Sequence, residues 1–116
     1  MSDPLTPAAF ALLLALTEGE RHGYGLISDV ERLTAGEITL GPGTLYRTLQ
    51  RMRVDGLVVE IAPDQTAVRA DRRAERRRGY RITGAGRAAV RHEVRRLATL
   101  LASDAAQALL HDDEDG

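Results

Sequence analysis

The sequence predicts a mainly α-helical α+β fold, one compact domain with a small sheet. Three observations carry this. Apolar residues recur at steps of three and four in several stretches, each bounded by glycine or a capping residue. Two short runs, "LVVEIA" and "RGYRIT", alternate in the manner of strands on either side of a polar stretch. The length of 116 residues suits one domain with a modest core.

The first helix opens in "LTPAAFALLLALTEG". Thr6 is placed to cap it, and Pro7 suits the first helical position, where its missing N–H costs nothing. Gly19 stops it. Phe10, Leu12, Leu13, Leu14 and Leu16 leave almost no polar face, so this helix must be covered on several sides. In so small a domain, part of that cover can come from a second subunit. A second helix spans roughly Gly23 to Leu33, with Leu26, Ile27, Val30 and Leu33 on its apolar side. "EITL" reads as a short strand.

"GPGTLYRTLQRM" starts a third helix, with Pro42 in the first turn and Leu45, Leu49 and Met52 on one face. Gly56 ends it. In "LVVEIA", Leu57, Val59 and Ile61 are expected to face inward, and Val58 and Glu60 outward. "PDQTAVRADRRAERR" is a polar loop. In "RGYRIT", Tyr80 and Ile82 share one face and Arg81 and Thr83 the other, so the two strands make a hairpin. Thr83 can cap a last helix, about Gly84 to Leu109, with Val90, Val94, Leu97 and Leu101 along one seam. Asp104 interrupts that seam. The acidic tail lies at a helix C-terminus, where negative charge is unfavourable, and is expected to fray.

Charge is unevenly placed. From Leu40 to Arg96 there are fourteen Arg and six acidic residues, although the whole chain has a net charge of −1. A basic middle is the footprint of a polyanion binder. Cysteine is absent, which excludes disulfides and thiolate chemistry. His22, His92 and His111 are scattered without metal-ligand spacing, so no metal is expected. No nucleophile stands beside a plausible base, so no enzyme activity and no cofactor are expected. "AAFALLLAL" is too short to span a bilayer, and no export signal precedes it, so no membrane association and a cytoplasmic location are expected.

The element order is helix, helix, short strand, helix, strand, loop, strand, helix. That is a winged helix-turn-helix over residues 1–83, followed by a C-terminal dimerisation helix over 84–110 and an acidic flexible tail over 111–116. The third helix is the one expected in a DNA major groove. "GPGTLY" has neither the Lys-Ser/Thr of a phosphate-binding loop nor the spacing of a dinucleotide fingerprint. Its free N–H groups and positive dipole end suit a DNA phosphate instead, through Gly43 and Thr44. Tyr46, Arg47, Gln50 and Arg51 project from the first turns. Arg and Gln can read guanine and adenine edges, while Arg47 and Arg51 can equally neutralise phosphates. Tyr46 has a second reading as part of the core. Arg72, Arg73, Arg76, Arg77 and Arg78 lie in the wing, where Arg suits a narrow minor groove or its phosphates. A lone apolar helix at the end needs a partner, and a second copy of the chain is the simplest.

"HGYGL", "GTLYRTLQRMRVDGLV" and "RRGYRITGAGR", in this order and spacing, resemble the PadR family of bacterial transcriptional regulators. The resemblance covers essentially residues 5 to 103. It implies a homodimer joined through the C-terminal helices, packed against the partner's first helix. Phe10, Leu13, Val90, Val94, Leu97, Leu100 and Leu101 are the expected contacts. It also implies a repressor that binds palindromic double-stranded operator DNA and is released by a small effector. Some members hold flat aromatic drugs on a Trp of the last helix. No Trp exists here, so an effector pocket would be lined by Leu, Val and Ala, with Arg and His92 as polar groups, and would take a small hydrophobic molecule. The residues that would bind it are unknown. A winged-helix module that binds protein rather than DNA is the alternative function, since fold does not fix function.

Overall fold

The computed structural model describes residues 5–62 and 78–115, with side chains as far as Asp112. Helix α1 covers Pro7–Leu16, strand β1 Arg21–His22, α2 Gly23–Leu33 and α3 Pro42–Val54. Strands β2 (Val58–Ile61) and β3 (Gly79–Ile82) follow, then α4 (Gly84–Leu101) and α5 (Asp104–Asp115). This is the winged helix-turn-helix that the element order predicts.

α1 is the centre of the domain. Thr6 caps it as expected, its Oγ1 accepting from the Ala9 N–H at 3.1 Å, and Pro7 stands at the first position. Ala9, Ala11, Leu12, Leu13, Ala15 and Leu16 are all buried. α2, α3, β3 and α4 each pack on it, which answers its lack of a polar face. From α2, Leu26 and Val30 complete the core; α3 adds Leu45, Leu49 and Met52.

The sheet has three strands in the order β1-β3-β2, all antiparallel. Two expectations about it fail. "EITL" is not a strand. Ala35 and Gly36 both have positive φ (51° and 82°) and the Ile38 N–H is held by Thr34 Oγ1 at 3.1 Å, so this stretch is a turn that drops Leu40 into the core. The third strand is instead Arg21–His22, paired with Tyr80 and Gly79. Two residues are too few to show an alternating pattern.

The facing of β2 is also reversed. Val58 lies opposite the buried Ile82 and Val59 opposite the exposed Arg81. Cross-strand partners share a face, so Val58 points inward and Val59 outward. Counting from Leu57 misplaces the alternation, because Leu57 still belongs to the turn after α3, its N–H bonded to the Met52 carbonyl at 2.9 Å. A one-residue slip exchanges every side chain between faces. The facing of Tyr80, Ile82 and Arg81 on β3 is as expected.

The single last helix is two helices. Ala102 closes α4, and Ser103 Oγ accepts from the Ala106 N–H at 3.2 Å to start α5. A serine three residues before the N–H it caps is a strong helix start, and Asp104 in the first turn suits the positive dipole end. α5 then continues to Asp115, past the expected end near Leu109.

Thr83 ties the wing to α4. Its Oγ1 accepts from the Gly86 N–H at 3.0 Å and donates to the Gly56 carbonyl at 2.7 Å. Gly86 is the most crowded of the described glycines. A Cβ there would lie 2.2 Å from the Leu57 carbonyl oxygen and 2.7 Å from Ile82 Cγ1. Gly86→Ala should therefore lower stability by about 2–3 kcal/mol through overpacking against backbone. Gly84→Ala, with nothing within 4 Å of its added methyl, should stay within about 1 kcal/mol of the parent. Thermal unfolding of the two variants side by side checks this.

Candidate nucleic-acid interface

α3 is held by one face and free on the other. Leu45 and Leu49 are completely buried and Met52 nearly so. Gly43, Thr44, Arg47, Gln50 and Arg51 are all exposed. Their spacing by three and four places them along one solvent-facing stripe. At its start, Gly41 provides no side-chain cap and Pro42 has no N–H, so the N–H groups of Gly43 and Thr44 lie in a first turn without intrahelical acceptors. With the dipole, this makes an anion-favouring helix end.

The basic side chains on this face are partly pre-positioned. Arg47 Nε donates to the Gly43 carbonyl at 3.3 Å, and Arg53 Nε donates to Gln50 Oε1 at 3.2 Å. Both bonds are exposed and weak enough to exchange for a ligand. Arg53 is on the same free face but is not among the expected DNA contacts; its step of three from Gln50 places it beside them. Arg53 and Arg78 flank one open groove of about 580 Å³, with Val58, Val59, Glu60 and Thr83 between them. The wing root and the end of α3 therefore share one side of the molecule. Arg78 Nη1 is bonded to Glu60 Oε1 at 2.5 Å. Arg72, Arg73, Arg76 and Arg77 lie outside the described residues.

Tyr46 has a double position. It is half-buried, and its ring lies over the start of α2. A Cβ on Gly23 would stand 2.9 Å from Tyr46 Oη and 3.0 Å from Cε1. Gly23 is buried and its N–H donates to the Arg78 carbonyl at 3.3 Å. So "HGY" and "GTLY" meet in space, and this contact sets α3 against α2 and the wing. Tyr24 beside it is exposed. Burial, with a smaller contribution from Tyr24, pushes the Tyr46 hydroxyl above its usual range. Burial also raises Tyr80, helped by the Glu60 carboxylate and Tyr46 and opposed by Arg78 and Arg53. Both phenols are neutral near pH 7, where each can donate a hydrogen bond.

The expected dimer residues divide. Leu13 and Val90 are buried in the chain's own core, so a second copy cannot reach them without rearrangement. Phe10 and Leu97 are half-buried, and Val94, Leu100 and Leu101 are exposed. Among the described residues no His, Asp and Glu side chains cluster as a metal site. No described helix is long and apolar enough to cross a membrane.

A buried three-helix core, a three-stranded sheet and an exposed basic helix face define a winged helix-turn-helix protein. Comparison narrows this. The chain belongs to the PadR-like family of transcriptional regulators, whose family model matches residues 12–92. It is 42% identical over 83 residues to the transcriptional regulator Rv3488 of Mycobacterium tuberculosis, covering 72% of this chain and 68% of that one. Among solved structures it is similar to RosR of H. salinarum, with a TM-score of 0.66 at 22% identity over 96% of this chain and 94% of that one. A PadR family transcription regulator of Clostridium difficile matches with a TM-score of 0.62 at 19% identity, over 83% and 95% of the two chains. The family and the Mycobacterium tuberculosis relative are transcriptional regulators, not enzymes.

The Tyr46–Gly23 contact makes two predictions. Gly23→Ala should cost about 1–3 kcal/mol, and the cost should shrink in a Tyr46→Ala background, with a coupling of roughly 1 kcal/mol in a double-mutant cycle of denaturant unfolding. The raised phenols make stability pH-dependent on the alkaline side. Their contribution is complete below the ordinary tyrosine value of 10.0 and is lost as pH rises through the higher folded value. Tyr80→Phe should flatten that alkaline loss, measured by unfolding across the range.

Proposed function

We propose that this chain is a homodimeric, sequence-specific DNA-binding regulator that represses transcription and releases its operator when a small hydrophobic effector binds. The single observation that carries the reading is the free face of α3. It presents Arg47, Gln50 and Arg51 behind an uncapped first turn, on a helix locked to the core by its opposite side. Such a helix fits a major groove, with Gly43 and Thr44 toward a phosphate and the long side chains toward base edges. Tyr46 acts at the margin, orienting α3 and offering its hydroxyl to the backbone.

The wing arginines supply sequence-independent attraction. Exposed Val94, Leu100 and Leu101 on α4 supply the contact between copies, with half-buried Phe10 and Leu97 beside them. Two such heads would address half-sites about 34–36 Å apart, one turn of DNA. A ligand that changes the spacing of the heads favours the unbound arrangement and so lowers operator affinity.

Footprinting on the DNA flanking the protein's own gene should reveal a protected palindrome. Binding should weaken steeply with salt, each neutralised phosphate contributing roughly −0.9 to the log–log slope. Arg47→Ala should cost about 1–3 kcal/mol of operator affinity if it reads a base. Arg51→Ala should lower the salt slope by about one if it neutralises a phosphate. Neither change should alter the dimer, checked by solution mass. Negligible duplex affinity in the parent would instead favour a protein-interaction module.

A further inference from the structure

The groove between the end of α3 and strand β2 holds an unequal set of charges. Arg53 and Arg78 line it, with Val58 and Val59 between them, and Glu60 is the one acid among the lining residues. β2 is an outer strand of the sheet, so no further strand covers this side. Glu60 lies opposite Tyr80 of β3. Its carboxylate and both guanidiniums act on the Tyr80 hydroxyl, so the three charged groups converge on one point.

Each arginine is engaged by its own chain, but unequally. Arg53 Nε donates to a neutral acceptor, Gln50 Oε1, at 3.2 Å. Arg78 Nη1 donates to a charged one, Glu60 Oε1, at 2.5 Å. The side chains of that ion pair are 49% and 23% exposed, so water and salt reach it and it can be exchanged at small cost. The place of the groove points to the exchanging group. A helix in a major groove and a wing in the adjacent minor groove have one phosphodiester strand between them, and this groove lies between α3 and the wing root. A phosphate there meets two guanidiniums in charge-assisted bonds. A carboxylate still bonded to Arg78 would stand at contact range from that phosphate, where like charges repel.

We propose that Glu60 is a brake on DNA binding: it occupies Arg78 in the free protein and must yield it to a backbone phosphate, which Arg53 and Arg78 then hold together. This rests on the DNA-binding part of the proposed function and adds to it a residue that lowers affinity. Phosphates carry no sequence, so the brake acts on all duplexes alike. It limits residence on non-operator DNA without touching the side chains of α3 that face base edges.

Full-length parent and Glu60→Gln would be compared by fluorescence anisotropy on a labelled duplex of random sequence, from low to high salt. Glutamine keeps the shape of glutamate and removes its charge. Glu60→Gln should bind about twofold to fivefold tighter at low salt, the range of one exposed ion pair. Its log–log salt slope should be steeper by about one. In an Arg78→Ala background most of that gain should vanish, because no guanidinium is left to release. Arg53→Ala should bind more weakly, with a slope shallower by about one.

Equal or weaker binding by Glu60→Gln, or a gain that survives intact without Arg78, overturns the brake. An unchanged slope in Arg53→Ala overturns the shared hold on the phosphate. A parent that binds no duplex even at low salt overturns the DNA reading itself, and the brake with it. If Glu60→Gln does not fold, the carboxyl carbon of Glu60 in the parent, followed by NMR during duplex titration, still decides. It should shift as the pair opens, and an unmoved signal at saturation overturns the proposal.

Discussion

A helix with no polar face organises this domain. α1 buries Ala9, Ala11, Leu12, Leu13, Ala15 and Leu16 and leaves Phe10 and Leu14 half-buried, and each fully buried leucine contributes about 1.5–3 kcal/mol relative to an exposed one. That burial is available only if other elements surround it. α2 and α3 cover it on one side, and β3 and α4 elsewhere. Each of those elements is amphipathic and spends its apolar stripe on α1 or on its neighbours. Each therefore has a polar face left over, and the proposed DNA-binding stripe is that of α3. α3 is rigid because of Leu45 and Leu49, and it is that rigidity that makes the exposed stripe of Arg47, Gln50 and Arg51 a defined surface.

The second constraint is close approach. Gly23 and Gly86 are not turn residues; each lets another group come nearer than a Cβ allows. At Gly23 the visitor is the Tyr46 ring, which fixes α3 against α2. At Gly86 it is the Leu57 carbonyl, with Ile82 beside it, which fixes α4 against the wing. The two contacts lie at opposite ends of the same sheet, so the helix-turn-helix, the wing and the C-terminal arm are held in one frame.

The last two helices carry the apolar surface that the core leaves exposed. The head closes a core, yet Val94, Leu100, Leu101, Leu109 and Leu110 stay exposed along α4 and α5. Exposed apolar residues in a row mark an interaction surface more often than a solvated one. Charge is divided along the same helices: Arg87, Arg91 and Arg95 lie on α4 and the acidic run closes α5.

Local signals alone determined much of this protein. Thr6 with Pro7, Gly41 with Pro42, and Thr83 set three helix starts, because caps and proline act within four residues of where they stand. The i, i+4, i+7 run of Leu45, Leu49 and Met52 identified both the core face of α3 and, by subtraction, its free face. Non-local relations decided the rest. Arg21–His22 became a strand because β3 offers an edge, and "EITL" did not because the chain turns there through Ala35 and Gly36 and is held by Thr34. Val58 faces inward because Ile82 lies opposite, a relation between residues far apart in the chain. Ser103 splits the last helix by a cap that the apolar seam conceals. Leu13 and Val90 belong to the interior because α4 returns to α1, which no periodicity reports. Periodicity names the apolar face of a helix; only packing decides whether that face meets its own chain or another.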